Sequence, residues 1–237
     1  MAFASIASVG YSREDSNTTV HDAVVPSGIV SGDLLLMLRC NDSIRLIDAA
    51  NAASLGWTIA DTVFGGSAVC AQTLYRFADG SETNFTYGLT ETANETSITR
   101  ILRITGAHAS AAPEAAHASA GNSNVPNSPL VTPTWGLDDT LWISFYGIDD
   151  GAEPATAYPT NYTLYQFTDG TTNVAGGCSF AMAARELAAA SEDPGAFTAT
   201  AADSWGATTI AIRPAGGGGG PVVAPLIYQY RRRLEIA

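Results

Sequence analysis

The sequence contains no lysine; all eleven basic residues are Arg. Lysine chemistry, whether a Schiff base or a phosphate-gripping P-loop Lys, is therefore excluded. Charge is also scarce and mostly of one sign. Only 14% of residues are charged and the net charge is −12. Clustered cations able to neutralise phosphates are missing, so nucleic acid is not an expected partner. Three cysteines, Cys40, Cys70 and Cys178, are too few for a disulfide framework, and no C-x-x-C spacing occurs. Their apolar, strand-like neighbours predict buried free thiols, with a Cys40–Cys70 bridge left open if those two strands adjoin. Of the three His, His108 and His117 fall in a loop-like segment and His21 at a strand start. All three are expected as solvated surface side chains, and no His pair has metal-ligand spacing. The longest apolar run, 34–38, is far too short to span a bilayer. The first residues lack the charged and apolar regions of a secretory signal, so synthesis in a cytoplasm without membrane insertion is expected.

What is present is apolar and strand-like. Hydrophobic residues make up 46% of the chain, enough for a large core. Runs at 29–39, 68–77, 97–104, 140–147, 178–186 and 207–213 are rich in Leu, Ile, Val, Thr and aromatics and are bounded by Gly, Asp, Asn or Pro. Arg76 and Arg103 alternate with apolar neighbours, the pattern of one buried and one wet face. The phrases also recur. Gly32-Asp33-Leu34-Leu35-Leu36 returns as Asp138-Asp139-Thr140-Leu141-Trp142-Ile143, and Gly56-Trp57-Thr58 as Asn161-Tyr162-Thr163. Thr99 to Ile104 returns as Thr208 to Pro214. Two copies in conserved order indicate a duplication rather than a solenoid. Each half has too few strands to cover its own apolar face, so the two should pack face to face. The expected fold is all-β, an antiparallel, jelly-roll-like β-sandwich of two pseudo-repeated halves with an extended C-terminal tail. Residues 1–105 form the first half and 134–214 the second. The small-residue- and Pro-rich stretch 106–133 reads as a crossover loop, 215–220 as a glycine hinge and 221–237 as an anchoring tail.

A search for chemistry yields little. There is no G-x-S-x-G elbow, and no strand carries two inward acids of the kind glycoside hydrolysis needs. An enzyme is not expected, and a polysaccharide hydrolase ranks third among the readings. Asp149, Asp150 and Glu153 crowd one loop and are the candidate Ca²⁺ ligands, with Asn41 and Asp42 in the matching loop of the first half. A solvated acidic turn is the simpler account, and neither metal nor cofactor is expected. Trp57 and Trp142 read as core. Tyr158 and Tyr162 are candidate sugar contacts, with Tyr165 nearby.

The C-terminus differs in kind. Five consecutive glycines, 216–220, precede PVVAPLIYQYRRRLEIA. Leu226, Ile227, Tyr228 and Tyr230 form an apolar stretch, and Arg231, Arg232 and Arg233 give it a positive end on an otherwise acidic protein. Such a tail is expected to bind something rather than stay exposed. The phrases VPSGIVSGDLLL (25–36), GWT (56–58), LYRFADGSE (74–82) and TIAIRP (209–214) resemble β-sandwich proteins of tailed bacteriophages and their prophages. That resemblance implies a virion component of the head-decoration, tail or fibre type. It supplies no catalytic or binding residue. The partners it implies are other virion proteins, and symmetric assembly makes a homo-oligomer the expectation. A glycan- or host-receptor-binding module is the alternative.

Overall fold

The computed structural model describes residues 2–92, 94–172 and 176–216. The first half runs β1 (Ser5–Thr18), β2 (His21–Ala23), β3 (Leu34–Asp42), helix α1 (Ala49–Ser54), β4 (Thr58–Gly65), β5 (Val69–Phe77), β6 (Phe85–Tyr87) and β7 (Glu95–Thr105). The second runs β8 (Glu114–Ser123), β9 (Asn127–Ser128), β10 (Asp138–Asp149), β11 (Ala155–Ala157), β12 (Leu164–Gly170), β13 (Cys178–Ala189), β14 (Gly195–Ala196), β15 (Thr198–Ala199) and β16 (Asp203–Ile212).

Each half supplies one complete five-stranded sheet. The strand orders are β1-β7-β3-β5-β4 and, read in the same sense, β8-β16-β10-β13-β12. The two orders are identical when β1 is matched to β8, β3 to β10, β4 to β12, β5 to β13 and β7 to β16. The short pairs agree as well, β2 with β6 in one half and β9 with β14 in the other. Register repeats too: Leu35 lies opposite Arg76 on β5, and Trp142 lies opposite Arg185 on β13. The duplicated phrases thus specify the same topology twice, in the antiparallel β-sandwich that the sequence predicts.

The sheets close over one core. Leu34, Leu36, Leu38, Ile98, Leu102 and Ile104 of the first meet Leu141, Ile143, Phe145, Phe180, Met182 and Ile210 of the second. Glycine sets the spacing at one end. A Cβ on Gly147 of β10 would lie 2.6 Å from Cys40 Cβ, and one on Gly206 of β16 would lie 2.8 Å from Val63. Larger residues there would prise the sheets apart.

The outer faces are not wet. On the first sheet Leu35, Met37, Leu74 and Ile101 lie under Ile47, Ala52 of α1, Trp57 and Tyr87. On the second, Trp142, Tyr146 and Ala183 lie under Tyr162, Phe197 and Ala199. Eight of the nine β3 residues are buried in sequence, as expected for a strand covered on both sides. The alternation of Arg76 and Arg103 therefore marks ion pairs on a covered face, Arg76 with Glu82 and Arg103 with Asp33.

The 106–133 segment is not a crossover loop. It contains β8, which pairs with β16 from Glu114↔Ala211 to Ser123↔Asp203 and forms the sheet edge. Ala116, Ala118 and Ala120 turn to the outer core. Ala, Ser and Gly have low intrinsic strand preference, and tertiary packing overrides it here.

Candidate functional site

The GWT turn is a built feature. Asp48 caps the short helix by accepting from Asn51 N at 2.8 Å. The helix ends at Ser54 with Leu55 as its cap, and Gly56 after it has a φ of +78°, in the left-handed region. Trp57 N then bonds Ala52 O at 2.8 Å, which turns the indole onto the outer face of the first sheet. Asn161, its counterpart, has φ +69°, a conformation that Asn tolerates. Trp57 and Tyr162 thus hold matching positions, and each lies near an Arg–Glu pair. Arg76 meets Glu82 at 3.1 Å, and Arg185 meets Glu192 at 2.9 Å.

In the first half this arrangement borders a cavity of about 220 Å³. Trp57, Phe85, Val25 and Leu55 give it apolar walls, and Arg76 and Glu82 line its polar side. Trp57 and Phe85 rings are 6.0 Å apart. Glu82 is held by Asp79 N at 2.8 Å and Gly80 N at 3.0 Å as well as by Arg76. Trp57 is 4% exposed. Its Nε1, and Nε of Arg76, are buried donors without a protein acceptor among the described residues. The cavity therefore combines aromatic walls with an Arg–Glu pair on its polar side, suited to a small ligand carrying polar groups on an apolar framework.

Elsewhere the charged groups tie the halves together. At one side of the sandwich the Tyr11 hydroxyl donates to Asp169 of β12, and Arg13 reaches the same carboxylate at 3.1 Å. Burial, then the bond to Asp169, push the Tyr11 phenol pKa up. Arg100 lies 3.1 Å from the Phe167 ring centroid, and its burial lowers its pKa to about 10. At the opposite side Asp61 of β4 receives His117 Nδ1 at 2.7 Å and Thr208 Oγ1 at 3.1 Å, both from the second half. At the ends of the matching strands β3 and β10, Asp42 and Asp149 share a hydrogen bond. Burial first raises the pKa of both carboxylates, that of Asp42 to about 7 with the Asp149 charge as its second cause, so the pair retains a proton above the usual carboxylate range.

The predicted site residues fare differently. Tyr162 is fully buried against Phe197 and Trp142, which removes it as a sugar contact; its ring fills the position that Trp57 fills in the other half. Tyr158 is half-buried and packs edge-on against Phe197 at 5.9 Å. Tyr165 is exposed, and its hydroxyl donates to Ile6 O. Asp150 stands at φ +73° and accepts from Ala152 N at 3.0 Å, while Glu153 accepts from Ala201 N. These carboxylates close turns, and no group of three such side chains among the described residues is arranged to hold a metal ion. Leu226, Ile227, Tyr228, Tyr230, Arg231, Arg232 and Arg233 lie outside the described residues.

His21 is not on the surface. It is fully buried, bonds Ser97 Oγ through Nδ1 at 2.8 Å and stacks on Tyr87. Beside it, buried Arg39 has no carboxylate partner among the described residues and is held by Gln72 at 2.8 Å and Asn41 at 2.5 Å. Sequence reasoning missed this network because its residues are scattered over β2, β3, β5 and β7. The one available signal was the polar triplet Arg39, Asn41 and Gln72 inside strands otherwise apolar. No family model, curated protein or solved structure matches the chain.

Proposed function

We propose that the protein is a structural β-sandwich of a phage-type virion, a head-decoration, tail or fibre component that acts without catalysis. The observation that carries this reading is the use of charge in the body. Asp169 with Tyr11 and Arg13, and Asp61 with His117 and Thr208, tie one half to the other at both sides of the sandwich. Such a body is built to keep its shape under load rather than to open around a substrate. Residues 221–237 serve as the anchor. Leu226, Ile227, Tyr228 and Tyr230 supply apolar contacts, and Arg231, Arg232 and Arg233 pair with acids on a neighbouring subunit of the homo-oligomer or on another virion protein. The full chain and a variant ending at Pro214 should be compared by light scattering and by incorporation into particles. The expected result is a folded variant with the same circular dichroism, lower mass and no incorporation. Unchanged mass together with full incorporation refutes the anchor.

A second reading, glycan binding, is favoured by the Trp57 cavity rather than by the Tyr158 loop. Its Arg76 and Glu82 side offers polar partners to the hydroxyl groups of a sugar, with Phe85 and Leu55 against the sugar's apolar face. A saccharide panel followed by tryptophan fluorescence tests it. Binding should weaken about tenfold in Phe85→Ala, which removes an apolar wall of the cavity. A blank panel, or binding indifferent to that change, rejects the site.

A further inference from the structure

Two of the three thiols meet across the sandwich. Cys40 on β3 and Cys178 at the start of β13 both point into the shared core, and their Sγ atoms are 3.1 Å apart. Both side chains are fully buried and unbridged. Gly147 makes this approach possible, because any Cβ there would lie 2.6 Å from Cys40 Cβ. Cys70 is on the strand next to Cys40, yet register sets Cys40 opposite Ala71 and Cys70 opposite Asn41. Adjacent strand positions face opposite ways, so Cys70 looks to the outer face beside Arg39, and the Cys40–Cys70 bridge left open by the sequence does not form.

We propose that Cys40 and Cys178 are an oxidisable pair that closes into a disulfide between the two sheets and covalently joins the two halves. Closure needs the sulfurs to approach by roughly 1 Å to reach bonding distance, which side-chain rotation and a small sheet adjustment supply. The step is a two-electron oxidation. With an azo oxidant such as diamide, both S–H bonds break, one S–S bond forms, and the two protons and two electrons pass to the azo group, giving a hydrazine. Burial raises the Cys178 thiol pKa well above its ordinary value and that of Cys70 to about 11. Cys178 therefore stays a thiol in the closed fold, and because both sulfurs are fully buried the reaction waits on transient opening of this end of the sandwich. Once it opens, proximity selects the pair. The cross-link spans 138 positions of sequence and so restricts the unfolded chain over much of its length. It should raise the thermal midpoint by roughly 5–15 °C. The inference does not depend on the functional reading above.

The test is to treat the full chain with diamide at a sub-denaturing urea concentration, block remaining thiols by alkylation, and map peptides without reduction. Cys70→Ala and Cys178→Ala variants are treated in parallel. The expected result is a peptide pair joined through Cys40 and Cys178, alkylated Cys70, and a raised midpoint that dithiothreitol reverses. The cross-link should persist in Cys70→Ala and vanish in Cys178→Ala. Three free thiols after treatment, a link involving Cys70, chain-to-chain dimers, or a cross-link that lowers the midpoint would overturn the proposal.

Discussion

His21 and Asp42 place opposite pH dependences on one fold. Burial first and the Arg39 charge second lower the His21 pKa from 6.5 to about 4. The folded value lies below the unfolded one, so the unfolded chain takes up the proton first as pH falls. The stability contributed by neutral His21 is fully present above pH 6.5 and is lost as pH drops toward 4, a cost of roughly 3 kcal/mol at its end. Urea unfolding of His21→Gln at pH 7 and pH 4 should show a markedly smaller loss than the parent over that window. Asp42 works the other way, with a folded pKa raised from 3.8 to about 7. Its protonated form stabilises fully below pH 3.8, and that benefit is lost as pH rises through 7. Asp42→Asn should thus be more stable than the parent at pH 8, with the advantage shrinking by pH 5. An advantage of equal size at both pH values would show that Asp42 keeps no proton in the fold.

At the scale of the element, legibility followed burial. The six strand runs evident in the sequence correspond to β3, β5, β7, β10, β13 and β16, which are the interior strands of the two sheets. The other four strands of these two sheets, β1, β4, β8 and β12, escaped it and are the four edges. Interior strands are covered on both faces and must be apolar; edge strands have no such demand and carry Ser, Asp, Ala and Gly instead. The candidate site was legible only in part. The recurrence of Trp57 as Tyr162 was visible, but which copy left a cavity depended on loops that differ between the halves, α1 in one and β11 in the other. The glycines on the interior strands were equally opaque, since nothing local marks a residue that touches the opposite sheet. They carry an energetic consequence. Gly147→Ala should cost about 1–3 kcal/mol in denaturant unfolding, because its Cβ would meet both Cys40 and Ala71, the latter at 3.3 Å. Gly121→Ala on the edge strand β8, whose nearest neighbour would be Ser204 Oγ at 3.7 Å, should change stability by less than about 0.5 kcal/mol. Equal effects at the two positions would refute the close approach of the sheets.

For the molecule as a whole, duplication has produced interdependence. The inner residues Leu36, Leu38, Leu102 and Ile104 of the first half share one cluster with the second sheet, whereas its outer cluster is built from first-half residues. The join is short: Ala107 bridges Pro214, and His108 N bonds Arg213 O at 2.9 Å. Fragments 1–107 and 108–216 therefore separate the sheets without cutting any strand. Each fragment alone should keep β-type circular dichroism from its outer packing, yet bind a hydrophobic dye through its bare inner face and melt without a cooperative transition. Mixing the two should abolish dye binding and restore a single sharp transition, since the lost term is burial between sheets rather than structure within them. Because the two halves share one topology, the first fragment alone is also expected to self-associate through that face at high concentration. A 1–107 fragment that stays monomeric and unfolds cooperatively by itself would mean that each sheet is stable alone, and the shared interior would then be a docking surface between two domains instead of the core of one.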